Sequence, residues 1–228
     1  MSTPLSASDR SVYDQTMRSN SVQAGQNPTF TESARRTQIM NCAIEVLAES
    51  GYSGASLAEI ARRAGISKSV VLYYFSGKDD LLASVVFDVY GRVGQAIAES
   101  LSRHVSPGDK IAAYVRTNLQ FLEEHAAEIH AVVEIVSNAR GADGTHSFAP
   151  QGEDPVLAHL EQLLRDGQDS GDFRTFDAHH LAIIIRSAID TVSGRLVVDP
   201  SFDLAAYTRE LLAVVELATV THRTEDSS

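Results

Sequence analysis

The twenty residues from Ser56 to Phe75 constrain this chain more than any other stretch, because two short helical patterns meet there at a glycine turn. Ser56 followed by Glu59 is a capping-box pattern, in which two side chains satisfy two backbone donors at a helix start. Leu57, Ile60, Ala61 and Ala64 then recur at helical spacing, with Glu59, Arg62 and Arg63 on the other side. Gly65 suits the left-handed conformation past a helix end, and Ser67 caps a second helix two residues on. Val71 and Phe75, four apart, predict packing onto the first helix, which turns Lys68, Ser69, Val70, Tyr73 and Tyr74 outward. An ammonium and hydroxyls on such a face suit phosphate oxygens. Lys68 and Ser69 near the helix start can reach base edges, and the Val70 methyls match a thymine methyl. Lys78, past the Ser76-Gly77 break, is placed to clamp a DNA backbone. The same spacing also fits a helical hairpin packed against a neighbouring domain.

From Thr29 to the last apolar pattern the chain reads as a series of helices joined by breaks and loops. Thr29 and Glu32 form a second capping-box pattern after Pro28, and Ile39, Ala43, Val46 and Leu47 make the inner face of a helix that Gly51 ends. Arg35 and Arg36 in its early turns are expected to be solvated or to meet phosphate. From Lys78, apolar residues at three and four run from Leu81 to Leu101, interrupted by Gly91 and Gly94, which suggest a bend, a close helix contact or room for a ligand. Further helical patterns carry Ile111 to Leu122, Ile129 to Val136 and, from Pro155, Leu157 to Leu164. The Gly/Ser/Pro-rich segment between Arg140 and Asp154 is expected to be a mobile loop. Two final patterns, Leu181 to Val192 and Leu204 to Leu217, are apolar over most of their circumference, so each needs cover on more than one side. A second copy of the chain would supply it through a two-fold four-helix interface, as would a central place in the subunit's own core. The expected fold is all-α, a three-helix helix-turn-helix head followed by a helical-bundle body. Its expected divisions are a disordered extension over 1–28, the head over 29–77, the ligand-binding and dimerisation body over 78–221 and a flexible tail over 222–228.

Charge places the head. The net charge of −11 argues at first against nucleic acid, but residues 1–80 carry eight basic and eight acidic residues, leaving 11 basic against 22 acidic in the remainder. A neutral head on an acidic body approaches phosphates head first. The single cysteine, Cys42, excludes an intrachain disulfide and fits a reducing compartment as a small buried apolar residue. The segment before residue 22 lacks the apolar core of a signal peptide, and no run reads as long enough to span a membrane. A cytoplasmic protein is expected.

Residues from about Arg36 to Leu82 resemble the amino-terminal domain of the tetracycline-repressor-like (TetR) family of transcription regulators. The resemblance is carried by Arg36-Thr37-Gln38-Ile39-Met40-Asn41-Cys42-Ala43, Gly51-Tyr52, Ser56 with Ile60-Ala61, Ala64-Gly65-Ile66-Ser67-Lys68, Tyr73-Tyr74-Phe75 and Lys78-Asp79-Asp80-Leu81-Leu82. It implies that the second helix of the motif enters a major groove, so that Ser56, Lys68, Ser69, Val70, Leu72, Tyr73 and Tyr74 face DNA and Lys78 meets a phosphate. Leu72 stands where the family usually has a tyrosine and Tyr74 where a histidine is common, which bears on affinity and preferred sequence. The resemblance also implies a homodimer paired through its two final helices. Two heads about 34–36 Å apart would then meet successive major-groove faces of a pseudo-palindromic operator. A small-molecule effector among the body helices would tilt the linking helix and change that spacing. The function expected is a ligand-responsive repressor.

For the effector, Tyr114, Asn118, His130 and Glu134 are polar residues on otherwise buried helices, and Phe87, Tyr90 and Phe121 are candidates for an apolar wall. Arg186 and Asp190, four apart, read as an ion pair or as an anchor for a charged ligand group, with the pair favoured. Catalytic and cofactor signals are missing. His125 and His130 lie on different faces of a helix, His179-His180 cannot share one, and the chain has no glycine-rich phosphate loop, nucleophile elbow or cysteine dyad. No metal and no cofactor are expected. A helical-bundle enzyme, or a protein-interaction adaptor without DNA binding, remains the alternative to a regulator.

Overall fold

The computed structural model describes residues 29–141, 155–199 and 201–220, and every regular element among them is an α-helix. The extension expected over 1–28, the tail over 222–228 and most of the loop between Arg140 and Asp154 lie outside the described residues. The chain divides into a short unit, Met1–Arg35, and a long one from Arg36 onward.

Of the short unit, Thr29–Arg35 is described, and it opens helix α1 (Phe30–Gly54). The capping box here is complete: the Thr29 amide donates to Glu32 Oε2 at 2.7 Å, and the Glu32 amide donates to Thr29 Oγ1 at 3.3 Å.

In the long unit, α1 buries Ile39, Ala43, Val46 and Leu47 completely. At Gly51 the backbone turns to φ 65°, ψ −175°, where the sequence places the helix end, and a last helical turn then runs to Gly54. Helix α2 (Leu57–Arg63) follows, and Gly65 at φ 66° makes the turn into α3 (Lys68–Tyr74). Only glycine takes such a φ without a steric cost. The Val70 amide donates to Ser67 Oγ at 3.3 Å, the expected cap. The box expected at Ser56 is half made. The Glu59 amide donates to Ser56 Oγ at 3.2 Å, but the Ser56 amide bonds Gly54 O, and the Glu59 carboxylate turns instead to Arg62, whose charge outbids a neutral amide.

Helix α4 (Lys78–Leu101) leads into α5 (Pro107–Glu124), α6 (Ala126–Asn138), α7 (Pro155–Asp169), α8 (Ala178–Val198) and α9 (Leu204–Thr219). α4 is continuous through Gly91 and Gly94, and a Cβ at Gly91 would meet open space, so the expected close helix contact is not made at Gly91. By length and composition α4 alone among the described residues could cross a membrane, which corrects the expectation that no run reaches that length. Its Leu81, Leu82, Val85, Val86 and Val89 are buried, and its Arg92 pairs with Asp88 and with Glu128 on α6, as suits a helix packed within protein. The body is layered around α5, which packs against α4, α7, α8 and α9.

Gly167, near the end of α7, shows how tightly the body closes. A Cβ there would stand 2.1 Å from the Phe173 ring, whose amide donates to Gly167 O at 2.9 Å as the chain folds back. Gly167→Ala is expected to cost about 1–3 kcal/mol through forced repacking. Gly91→Ala, in open space, should instead gain roughly 0.5–1 kcal/mol of helix propensity. Paired urea denaturation of the two variants reads both signs.

Candidate nucleic-acid interface

The outward face of α3 follows from what its other face buries. Val71 is fully buried and Phe75 is 1% exposed, both in the core with Ile39, Val46 and Ile60. Lys68, Ser69, Val70, Leu72 and Tyr73 therefore face solvent, Tyr73 at 74% exposed. Ser56 is exposed as well, at the start of α2, and Ser69 Oγ lies 2.8 Å from Ser67 Oγ. The surface so formed offers an ammonium, hydroxyls and apolar edges together, the set that meets phosphates and base edges in a groove.

Two residues expected on this face are held otherwise. Tyr74 is half-buried, its ring edge-on to Tyr73 with centroids 5.0 Å apart, because its neighbour Phe75 anchors the helix end. Lys78 is half-buried too. Its Nζ donates to Tyr52 O at 2.9 Å and lies 4.2 Å from the centre of the Tyr52 ring, and burial pushes its pKa down despite Asp79. Such a lysine keeps two donors beyond the one that Tyr52 takes.

The arginines of the head hold it together. Arg36, expected in solvent or on phosphate, instead donates to Tyr74 O and to Ser84 Oγ at 3.4 Å, with its guanidinium 4.2 Å from the Phe75 ring centre. It joins α1, the end of α3 and α4 in one cluster, a role with no signal in the sequence beyond its place in the resemblance. Arg62 is bidentate on Glu59, 2.9 Å at Nε, and Arg63 reaches Glu49 at 2.7 Å and Glu45 at 3.5 Å. The bonds from Arg63 and Arg62 hold the Glu49 and Glu59 carboxyls below their ordinary range. Their contribution to stability is therefore complete above the usual carboxylate pKa and is lost as pH falls through the lowered value.

The residues expected to meet an effector separate into two groups. Tyr114, Asn118 and Phe121 on α5 are buried, and Asn118 and Tyr114 meet Arg186 of α8. Arg186 Nη1 donates to Asn118 Oδ1 at 3.1 Å, Asn118 Nδ2 donates to Tyr114 O at 2.8 Å, and Arg186 Nε donates to Asp190 at 3.1 Å. Burial disfavours the guanidinium charge, but Asp190 and the adjacent Tyr114 phenol outweigh it and the Arg186 pKa is raised. The favoured Arg186–Asp190 pair is thus formed at the rim of a polar cluster, with Tyr114 and Asn118 buried, Arg186 half-buried and Asp190 exposed. Phe87 and Tyr90 are 43% and 47% exposed on α4, where the fully inward positions go to Val85, Val86 and Val89. His130 is half-buried, and Glu134 is drawn away to accept from the Tyr52 amide at 3.1 Å. Among the described residues, no three His, Cys, Asp or Glu side chains gather as metal ligands do.

Comparison with known proteins agrees with this geometry. Residues 39–85 match the model for bacterial regulatory proteins, tetR family. The chain is 25% identical over 181 residues to the fatty acid metabolism regulator protein of Bacillus subtilis (strain 168), covering 78% of this chain and 92% of that one. It is 30% identical over 136 residues to the HTH-type transcriptional regulator BetI of Brucella anthropi, covering 58% of this chain and 70% of BetI. AibR, solved in complex with isovaleryl coenzyme A and operator DNA, superposes with a TM-score of 0.66 at 16% identity, over 79% of this chain and 97% of that one. With the helix-turn-helix in place, the match across its core and the extent shared with BetI, the chain belongs to the tetR family of bacterial regulatory proteins.

Proposed function

We propose that this chain is a homodimeric transcriptional repressor, released from a pseudo-palindromic operator when a small molecule enters the helical body. The observation that carries the reading is the outward face of α3, held out by the burial of Val71 and Phe75. Lys68, Ser69, Val70, Leu72 and Tyr73 contact DNA, with Ser56, Tyr74 and Lys78 at the margin. Residues 29–77 act as the reading head and 78–221 as the body. The effector is held by Tyr114, Asn118 and Arg186, with Phe121 and His130 beside them. A coenzyme A thioester is the first class to try, supported by the bound ligand of AibR and by the regulator of fatty acid metabolism. The guanidinium and amide suit its carbonyl and phosphate oxygens. The relatives are regulators, and the chain works in the cytoplasm without catalysing a reaction.

Dimerisation has support in the last two helices. Ile184 and Val198 on α8 are 61% and 75% exposed, and Val214 and Leu217 on α9 are 58% and 69% exposed. Large apolar side chains left open on both final helices suit an association surface. Selection from random duplexes tests the reading. The expected product is a two-fold consensus whose half-sites are one helical turn apart. Recovery of no sequence, or of a single asymmetric half-site, would overturn it.

A further inference from the structure

The bond that takes Glu134 away from the effector cluster links the body to the head. Glu134 sits on α6, between buried Ala131, Val132 and Ile135. α6 packs against α4, the helix that leads out of the head, and against α8, which carries Arg186. Across 82 residues of sequence, its Oε2 accepts from the Tyr52 amide at 3.1 Å. The geometry at the other end is made for this contact. Gly51 at φ 65° turns the following peptide out of the α1 ladder, and a Cβ at Gly51 would stand in ordinary van der Waals contact, 3.5 Å, with the same carboxylate oxygen. The Tyr52 carbonyl in turn accepts from Lys78, the first residue of α4, whose ammonium covers the Tyr52 ring. Tyr52 is therefore gripped from both sides, by α6 through its amide and by α4 through its carbonyl and ring.

We propose that Glu134 is a positioning residue that sets the angle of the head on the body by holding the Tyr52 amide. This rests on the reading given above, that the head meets DNA and the body takes an effector. The head can transmit such a hold because it is a single core. Ile39, Val46, Ile60, Val71 and Phe75 pack together, and Arg36 joins Tyr74 and Ser84 across it, so a displacement at Tyr52 carries α3 with it. A shift of α8 on binding at Arg186 reaches Glu134 through α6. Charge makes the hold selective: an ionised carboxylate on an amide forms a stronger bond than a neutral acceptor. Loss of that bond removes one of the two grips on Tyr52 and frees the head over a wider range of angles.

The test uses the full chain with Glu134→Gln and Glu134→Ala. Spin labels at Ala58→Cys on α2 and Gln162→Cys on α7, in a Cys42→Ser background and diluted with excess unlabelled chain, report the head-to-body distance. Glu134→Ala is expected to broaden the distance distribution and speed hydrogen exchange at the Tyr52 amide, with Glu134→Gln between it and the unsubstituted protein. Affinity for the selected operator should fall about 5-fold or more in the alanine variant. Helical content, read by circular dichroism, guards against a merely unfolded variant, and the glutamine form supplies the comparison if alanine fails to fold. An unchanged distance distribution together with unchanged Tyr52 exchange would overturn the proposal. If the unsubstituted protein binds no duplex while the distribution still broadens, the hold stands and the DNA reading fails.

Discussion

Phe75→Ala is expected to destabilise the head by about 3–5 kcal/mol and to abolish operator binding while the body stays helical. The ring is 1% exposed at the end of α3, and it is the floor on which the Arg36 guanidinium rests. Truncation leaves a cavity between α1 and α3 and removes the cation–π contact, worth roughly 0.5–2 kcal/mol by itself. It also removes one of the two anchors, with Val71, that fix which way Tyr73 and Lys68 point. Phe75→Leu keeps most of the volume, so it should cost less and retain binding. Urea denaturation followed by circular dichroism, alongside fluorescence anisotropy with a labelled operator, separates the two variants. An alanine variant that binds DNA as well as its parent would show that α3 is not held by this ring.

That dependence also explains what could be read in the chain before its structure. The apolar positions that fix the head, Val71, Phe75, Ile60 and Ile39, are local in sequence and repeat at helical spacing, so the three-helix arrangement and the outward side of α3 were legible. The glycine turn at Gly65 and the ion pair Arg186–Asp190 were legible for the same reason, being set by neighbours three or four residues away. Arg36 on Tyr74, Lys78 on Tyr52 and Glu134 on Tyr52 were not. Each joins residues 26 or more apart through a backbone group, and a backbone carbonyl or amide leaves no signature in the identity of its residue. The half-made box at Ser56 failed because the pattern is blind to a competing cation one turn on. Phe87 and Tyr90 stand on a more exposed side of α4 than Val85, Val86 and Val89, the residues at its inward positions.

Charge placed on the last two helices is expected to weaken DNA binding while leaving the head folded. Ile184→Glu combined with Leu217→Glu puts carboxylates at positions 61% and 69% exposed in the subunit, where burial in the subunit's own core is not at stake. In the proposed dimer these side chains are covered, and four carboxylates in an apolar interface would oppose pairing. The subunit fold should survive, since α8 and α9 keep Ile185, Ile189, Val192, Leu211 and Val215 inside, and the Tyr207 hydroxyl still donates to Ala188 O at 2.7 Å. Sedimentation should show a monomer. Operator affinity should drop on the order of 10²–10⁴-fold, because the second head no longer binds at the high local concentration that linkage gives. A variant that remains dimeric would move the interface elsewhere.

The claim on which the account depends is that the α3 face grips DNA through its few polar groups rather than through a broad field of charge. The most direct measurement is the affinity of the chain and of Lys68→Ala for one selected duplex across a range of salt concentrations. The account predicts that log affinity falls linearly with log salt, and that the alanine variant binds more weakly with a slope smaller by about one unit if its ammonium sits on a phosphate. Equal affinity and equal slope for the two proteins, or no saturable complex with either, would contradict it.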